Sequence, residues 1–143
     1  MFIFCVLLER FEMAKIFWQA GDNPICAALA ASKLLKKYAT KSEFENHEYF
    51  KKANEYEFLA CDLLKICFEK RNGEIINNLL TNKVKVYGEI SSLDMAISAN
   101  AEDFVFNTGC QSLFSSLWYG EIDLDNSNYE VVFKFIIFVL TFN

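Results

Sequence analysis

The chain contains a single histidine, a single proline and only five glycines in 143 residues. Its one imidazole, His47, sits in a charged stretch, and a zinc centre there needs three further ligands brought from elsewhere. No HExxH, GxSxG or glycine-rich phosphate loop is present, so the sequence offers no frame for metal-assisted, acyl-transfer or nucleotide chemistry. Its five cysteines, Cys5, Cys26, Cys61, Cys67 and Cys110, form no CxxC pair. An odd number closes no disulfide framework, which points to a reducing compartment. Basic charge is also in short supply. Fourteen Lys and Arg stand against nineteen Asp and Glu, a net charge of −5, with no basic stripe to neutralise a phosphate backbone, so nucleic acid is not an expected partner. Neither apolar run at the ends, residues 2–8 and 131–142, reaches the roughly 20 residues that cross a bilayer as a helix. The second is interrupted by Lys134, and the first lacks a basic leader and runs directly into Glu9 and Arg10. No membrane span is expected, and the first run reads as a buried helix whose upstream partner is missing.

The chain is rich in apolar side chains, 53% of the total, with 16% aromatic residues. That supply builds the core of one compact domain and leaves apolar surface over for a partner. The periodicity predicts helices throughout. A first short helix runs from Phe2 to a tight turn at Arg10-Phe11-Glu12, and a second ends before Gly21, which makes a helical hairpin. Asn23 and Pro24 open a third helix, residues 24–39, whose alanines Ala27, Ala28, Ala30 and Ala31 permit close approach of a neighbour. Lys33, Lys36, Lys37 and Lys41 on that helix read as a solvated face. Ser42 and Glu45 have capping-box spacing for a long amphipathic helix to about Arg71, with a core stripe of Tyr49, Ala53, Tyr56, Ala60, Leu63 and Cys67. Asn72-Gly73 ends it, residues 74–81 form a shorter helix, and residues 83–87 read as an extended connector, since a strand there has no evident partner. Ser91 or Ser92 caps a helix over 93–99, and after a turn at Asn100-Ala101 another continues over 102–118. The stretches CVLLERFEMAKIF and AISANAEDFVF share one plan: a helix, a polar turn, an acid and then apolar residues. Their separation of about ninety residues exceeds a regular repeat period. The expected fold is all-α, an irregular stack of antiparallel helix pairs in the manner of an ankyrin or armadillo solenoid segment.

Two further patterns invite chemistry and fail on inspection. Asp123, Asp125 and Ser127 begin like a calcium loop, but its sixth position is Asn128 and its twelfth is Lys134, a cation where a bidentate glutamate is required. Glu55 and Glu57 lie two apart on a helix and point away from each other, unlike a converging carboxylate pair. No catalytic residue, cofactor or metal ligand is predicted, and the chain does not read as an enzyme.

The segments EMAKIFWQAGDNPICAALAASKLLKKYA, ACDLLKICF, LLTNKVKVYG, SSLDMAISANAEDFVFNTGCQ and LWYGEI, in this order and spacing, resemble consecutive blocks of the melastatin-type transient receptor potential (TRPM) cation channels. The resemblance runs from about Val6 to Ile122. The resemblance implies the cytosolic region that precedes the first transmembrane helix: a stack of helix pairs that serves assembly and coupling in a tetrameric calcium-permeable or monovalent cation channel. It implies that the partners are other domains and subunits of such a channel, as a homo- or hetero-tetramer, at the cytosolic face of a membrane, most naturally the plasma membrane. The chain departs from the family pattern at Asn82, Lys83, Val84, Lys85, Val86 and Tyr87, where the family usually has Tyr-Glu-Leu-Lys-Asn-Trp, and at Ala101 and Glu102, where basic residues are common. After Ile122 the resemblance fades.

These readings divide the chain into residues 1–122, a TRPM-like cytosolic helical domain, and 123–143, an acidic linker with a short apolar segment on the approach to the membrane. Phe17, Trp18, Leu34, Leu35, Leu63, Leu64, Phe104 and Trp118 are expected to pack rather than react. The expected function is a non-conducting scaffold and coupling segment of a cation channel. The alternative is a free-standing helical adaptor that binds a protein partner through apolar helix faces.

Overall fold

A computed structural model describes residues 1–41, 46–70 and 73–118. The backbone is mostly helical. Among the described residues the elements are α1 (Phe2–Leu7), α2 (Phe11–Gln19), α3 (Pro24–Lys41), α4 (Asn46–Lys70), α5 (Gly73–Thr81), β1 (Lys83–Val84), a 3₁₀ turn (Lys85–Tyr87), β2 (Ile90–Ser91), α6 (Ser92–Ser98), α7 (Glu102–Val105) and α8 (Thr108–Trp118). The described residues are therefore all-α apart from one two-residue ladder. The Ser42–Glu45 capping box, the Asn72 stop signal and the calcium-like segment from Asp123 lie outside the described residues.

The centre of the molecule is the α3–α4 pair, its most extensive helix–helix interface. Small residues make this possible. Ala27, Ala28, Ala30, Ala31 and Ser32 are all buried on α3, and Ala53 and Ala60 are fully buried on α4, so the two backbones approach closely. The first half of α3 is buried nearly all round because α1 and α2 pack on it from one direction, and α6 from another. Of the expected packing residues, Trp18, Leu35, Leu64 and Phe104 are buried, while Phe17, Leu34 and Leu63 are half-buried. Trp118 closes α8, and its side chain lies outside those described. The Trp18 indole Nε1–H donates to the Pro24 carbonyl at 2.7 Å, tying the end of α2 to the start of α3.

The two stretches with a common plan fold into hairpins with the same turn. In α1–α2 the Glu9 N–H donates to the Val6 carbonyl and the Arg10 N–H to the Cys5 carbonyl; in α6–α7 Asn100 donates to Ile97 and Ala101 to Ala96. This is a Schellman closure. Its left-handed residue, normally glycine, is Glu9 at φ 59° in one hairpin and Asn100 at φ 47° in the other. A constant offset of 91 residues relates the two.

Three sequence expectations require correction. Residues 83–87 are not a lone extended connector: Lys83 pairs with Ser91 and Val84 with Ile90 in an antiparallel ladder. The chain reverses through the 3₁₀ turn, with Gly88 at φ 90° followed by Glu89 at φ 57°, so the partner strand lies immediately beyond the glycine. The single helix over 102–118 is two helices. Asn107 divides them: its Oδ1 accepts the Gly109 N–H at 3.1 Å, a side-chain cap that starts α8 afresh. The lysine face of α3 is solvated only at Lys37 and Lys41. Lys33 and Lys36 are half-buried and reach across to α6 and α4.

Candidate interaction groove

A groove of about 1040 Å³ lies between the first turn of α2 and the α6–α7 turn, with α4 between them. Phe11, Glu12 and Lys15 form one wall, and Asn100, Glu102 and Asp103 form the other. By the 91-residue offset these walls are equivalent parts of the two hairpins, with Glu12 standing where Asp103 stands. Along α4 the lining includes Lys51, Glu55 and Phe58, and Phe58 remains 65% exposed.

The central pair holds each hairpin by its left-handed residue. On the α1–α2 side the Tyr49 hydroxyl donates to Glu9 Oε1 at 2.6 Å. On the other side Lys36 Nζ lies 2.8 Å from the Asn100 carbonyl and 2.8 Å from Glu57 Oε2. Lys33 Nζ donates to Ser98 Oγ at 2.9 Å. Both lysines thus sit at the C-terminal end of α6, where unsatisfied carbonyls and the helix dipole favour a cation. The Glu57 side chain is only 8% exposed and that of Lys36 21%. A carboxylate withdrawn this far from water needs a cation beside it, and Lys36 is that cation. Glu55, two residues earlier and on the opposite side of α4, faces solvent and pairs with Lys52 at 2.8 Å. The two acids therefore face different surroundings and form no converging pair.

Sequence reading missed Lys36 and Glu57 as partners, although a signal was present. Glu57 lies four residues after Ala53 and three before Ala60, on the stripe of small residues that packs against α3. A carboxylate on a buried stripe demands a partner, and lysines on the facing helix are its natural source. His47 is exposed. Among the described residues no group of three or more His, Cys, Asp or Glu is placed to hold a metal.

The thiols and phenols of the interior are held in their neutral forms. Burial pushes Cys26 up to about 11. Burial does the same to Cys61, with help from the nearby charges of Glu57, Asp103 and Asp62, raising it to about 12. Cys110 is also raised, chiefly by burial. Tyr56 rises to about 12 through burial and then the Glu55 charge. A thiol that stays protonated near neutrality is a poor nucleophile and a poor metal ligand, so these cysteines behave as small core residues. The groove can accordingly bind by shape, charge and its exposed phenylalanine; nothing in its lining sets up a nucleophile with a base.

The all-α fold, built on a central helix pair with matched hairpins, defines a helical domain, and comparison with protein families specifies it. Residues 1–107 match the TRPM2-like domain, and the chain belongs to the TRPM family. Among similar proteins, the transient receptor potential cation channel subfamily M member-like 2 of Nematostella vectensis is 32% identical over 147 residues, covering 99% of this chain and 9% of that protein. Subfamily M member 4 of Rattus norvegicus is 32% identical over 136 residues, covering 93% of this chain and 11% of that protein. Subfamily M member 5 of Homo sapiens is 32% identical over 123 residues, covering 85% of this chain and 10% of that protein. The chain thus spans about a tenth of the length of these relatives. No helix among the described residues is long and apolar enough to cross a membrane.

Proposed function

We propose that this chain is a cytosolic scaffold and coupling segment of a TRPM-type cation channel, at the cytosolic face of the plasma membrane. It contributes to subunit assembly and gating and conducts nothing by itself. The observation that carries this reading is the similarity over 99% of the chain to a protein named as a cation channel, of which it occupies only 9%. In this reading residues 1–122 form the helical domain and 123–143 the link toward the membrane, and the helix pairs stack as one segment of a solenoid. The ties from α3 and α4 to the two turns support a coupling role, because each hairpin is held to the central pair by a polar contact that a shift of the neighbouring element would strain.

The test is to sequence the transcript across both ends of this reading frame and record whole-cell currents from its full product, with and without Lys36→Met. Cation current whose activation shifts in the variant at equal surface expression supports the proposal. A product without current, or currents indifferent to the substitution, opposes it. The exposed apolar side chains of the α1–α2 hairpin, Phe4, Leu8 and Ile16 among them, favour a second reading, a free-standing helical adaptor that docks a protein partner. A translated product of this size with no channel sequence attached supports that alternative.

A further inference from the structure

A smaller concavity of about 290 Å³ lies where the end of α5 and the turn between β1 and β2 meet the start of α3. It shares no lining residue with the groove on α4. Its polar lining is rich in donors: Asn23, Asn78 and Asn82 bring carboxamides, and Lys83 and Lys85 bring ammonium groups. Among the described residues no acid lines it, in a chain whose net charge is −5. The salt bridges among those residues engage Lys36 and Lys52, so Lys83 and Lys85 keep their charges unpaired there. The backbone beneath the donors is already fixed. Lys83 pairs with Ser91 in the ladder, Val84 beside it is 9% exposed and serves as an anchor, and both flanking lysines are exposed. The turn beyond is closed by the Gly88 N–H donating to the Lys85 carbonyl at 3.2 Å and the Glu89 N–H to the Val84 carbonyl at 3.1 Å. The Asn82 N–H donates to the Asn78 carbonyl at 2.9 Å, which sets these two carboxamides one helical turn apart on the same side. Only side-chain freedom is left to lose when a ligand arrives, and that is the smaller part of an ordering cost.

We propose that this concavity binds a phosphate monoester. The two ammonium groups match the roughly two negative charges that such a group carries near neutrality. Lysine holds phosphate as a point charge, and carboxamide N–H groups donate to the oxygens that the lysines leave unfilled. A carboxylate brings one charge and two oxygens, too little to answer this set of donors. The volume lies at the lower edge of small-molecule sites, which suits a compact phosphate and the small group that carries it rather than a helix of a partner. Such a phosphate comes either from a soluble compound or from a lipid headgroup. Val86, 83% exposed and part of the same lining, separates the two sources, because an apolar side chain beside lysines adds affinity only for a membrane surface.

The test is an NMR titration of the isotope-labelled 143-residue chain with glycerol phosphate at constant ionic strength, beside cosedimentation with phosphatidylcholine vesicles that carry phosphatidic acid. The expected result is saturable shifts confined to Asn23, Asn78, Asn82 and residues 83–86, absent when acetate or chloride replaces the phosphate. Lys83→Gln and Lys85→Gln should each weaken binding by about fivefold, the worth of one lysine at a phosphate surface. Asn78→Asp keeps the side-chain shape, adds a repelling charge and should weaken binding more than either. Lys65→Gln removes the same charge from an exposed position on α4 and should leave binding as it was. All of these positions are exposed, so the helical circular dichroism should not change. Vesicle binding that falls in Val86→Ser while glycerol phosphate binding holds assigns the lipid source; glycerol phosphate binding without vesicle binding assigns the soluble one, and both uphold the site. Titrations without saturable shifts overturn the proposal, as does equal weakening by Lys65→Gln, which would reduce the effect to net charge.

Discussion

Replacing Lys36 by methionine is the most informative perturbation of the interior. Methionine keeps most of the aliphatic stem packed between α3 and α4 and removes only the ammonium, which makes two contacts of 2.8 Å. Two groups then lose their partner. The Glu57 carboxylate, 8% exposed, is left as an unpaired charge, a loss that in a fully buried pair costs about 3–5 kcal/mol. The Lys36 side chain is 21% exposed, so water repays part of that, and about 2–3 kcal/mol is expected for the pair. Losing the charged hydrogen bond to the Asn100 carbonyl adds about 1 kcal/mol, since that oxygen can turn to solvent. The prediction is a loss of about 3–4 kcal/mol in urea unfolding at pH 7, a large part of the stability of a domain this size. Glu57→Gln alone should cost less, about 1–2 kcal/mol, because an amide can still accept from the ammonium. The double variant should then be no less stable than Lys36→Met, a coupling of at least about 1 kcal/mol in the cycle. If Lys36→Met costs under about 1 kcal/mol and the cycle closes without coupling, the pair is only a surface contact and the argument for it as a tie between hairpin and core fails.

Other perturbations follow from single contacts. A Cβ on Gly109 would lie 3.1–3.3 Å from Cγ and both Cδ atoms of Leu64, which is fully buried on α4. Gly109→Ala is expected to lower stability by about 1–3 kcal/mol in thermal melts, with less than additive loss when combined with Leu64→Ala, whose cavity makes room for the methyl. Glu9→Gly removes left-handed strain at φ 59° but also the bond to Tyr49, so Tyr49→Phe/Glu9→Gly should be more stable than Tyr49→Phe by about 1 kcal/mol. Asn100→Gly should change stability by a few tenths of a kcal/mol, since asparagine already tolerates that conformation. Stability should decline on the alkaline side. Cys26 has its folded value raised from 9.0 to about 11, so the folded state keeps a proton that the unfolded state releases. Its contribution is complete below pH 9 and is lost as the pH climbs toward 11, by roughly 1 kcal/mol per pH unit. Denaturant titrations from pH 8 to 10.5 should show a shallower decline for Cys26→Ala than for the parent chain, and parallel curves would contradict the assignment.

Much of the fold was legible in the sequence because helix signals are local. Gly21, Asn23 and Pro24 marked the entry to α3, Ser91 caps α6 with its hydroxyl accepting from the Asp94 N–H, and the common plan of the two hairpins became one shared turn. What escaped depended on partners distant in the chain. The ladder of β1 and β2 has only two residues a side, too few for a period of two to register. The break at Asn107 requires knowing that its side chain turns back to the backbone rather than outward. Lys36 looked like a solvated lysine because the charge it answers lies 21 residues further on, in another helix. The groove between α2 and α7 could not be read at all, since it exists only once two segments ninety residues apart are brought to either side of α4.

The Lys36 contacts also bear on the order in which the molecule assembles. The α3–α4 interface joins consecutive helices, so it closes a short loop early and at little entropic cost. The bonds from Lys33 to Ser98 and from Lys36 to Asn100 span 65 and 64 residues, and they cannot form until α6 has folded back across everything between. We expect α1–α4 to be structured in the folding transition state and the α6–α7 hairpin to dock after it. Lys36→Met should then mainly accelerate unfolding, with refolding close to the parent rate, in stopped-flow measurements that follow Trp18. Equal slowing of refolding would place the hairpin in the nucleus instead. On a ribosome, that order lets the first half of the chain reach its packed form while the residues that will lock it are still being made.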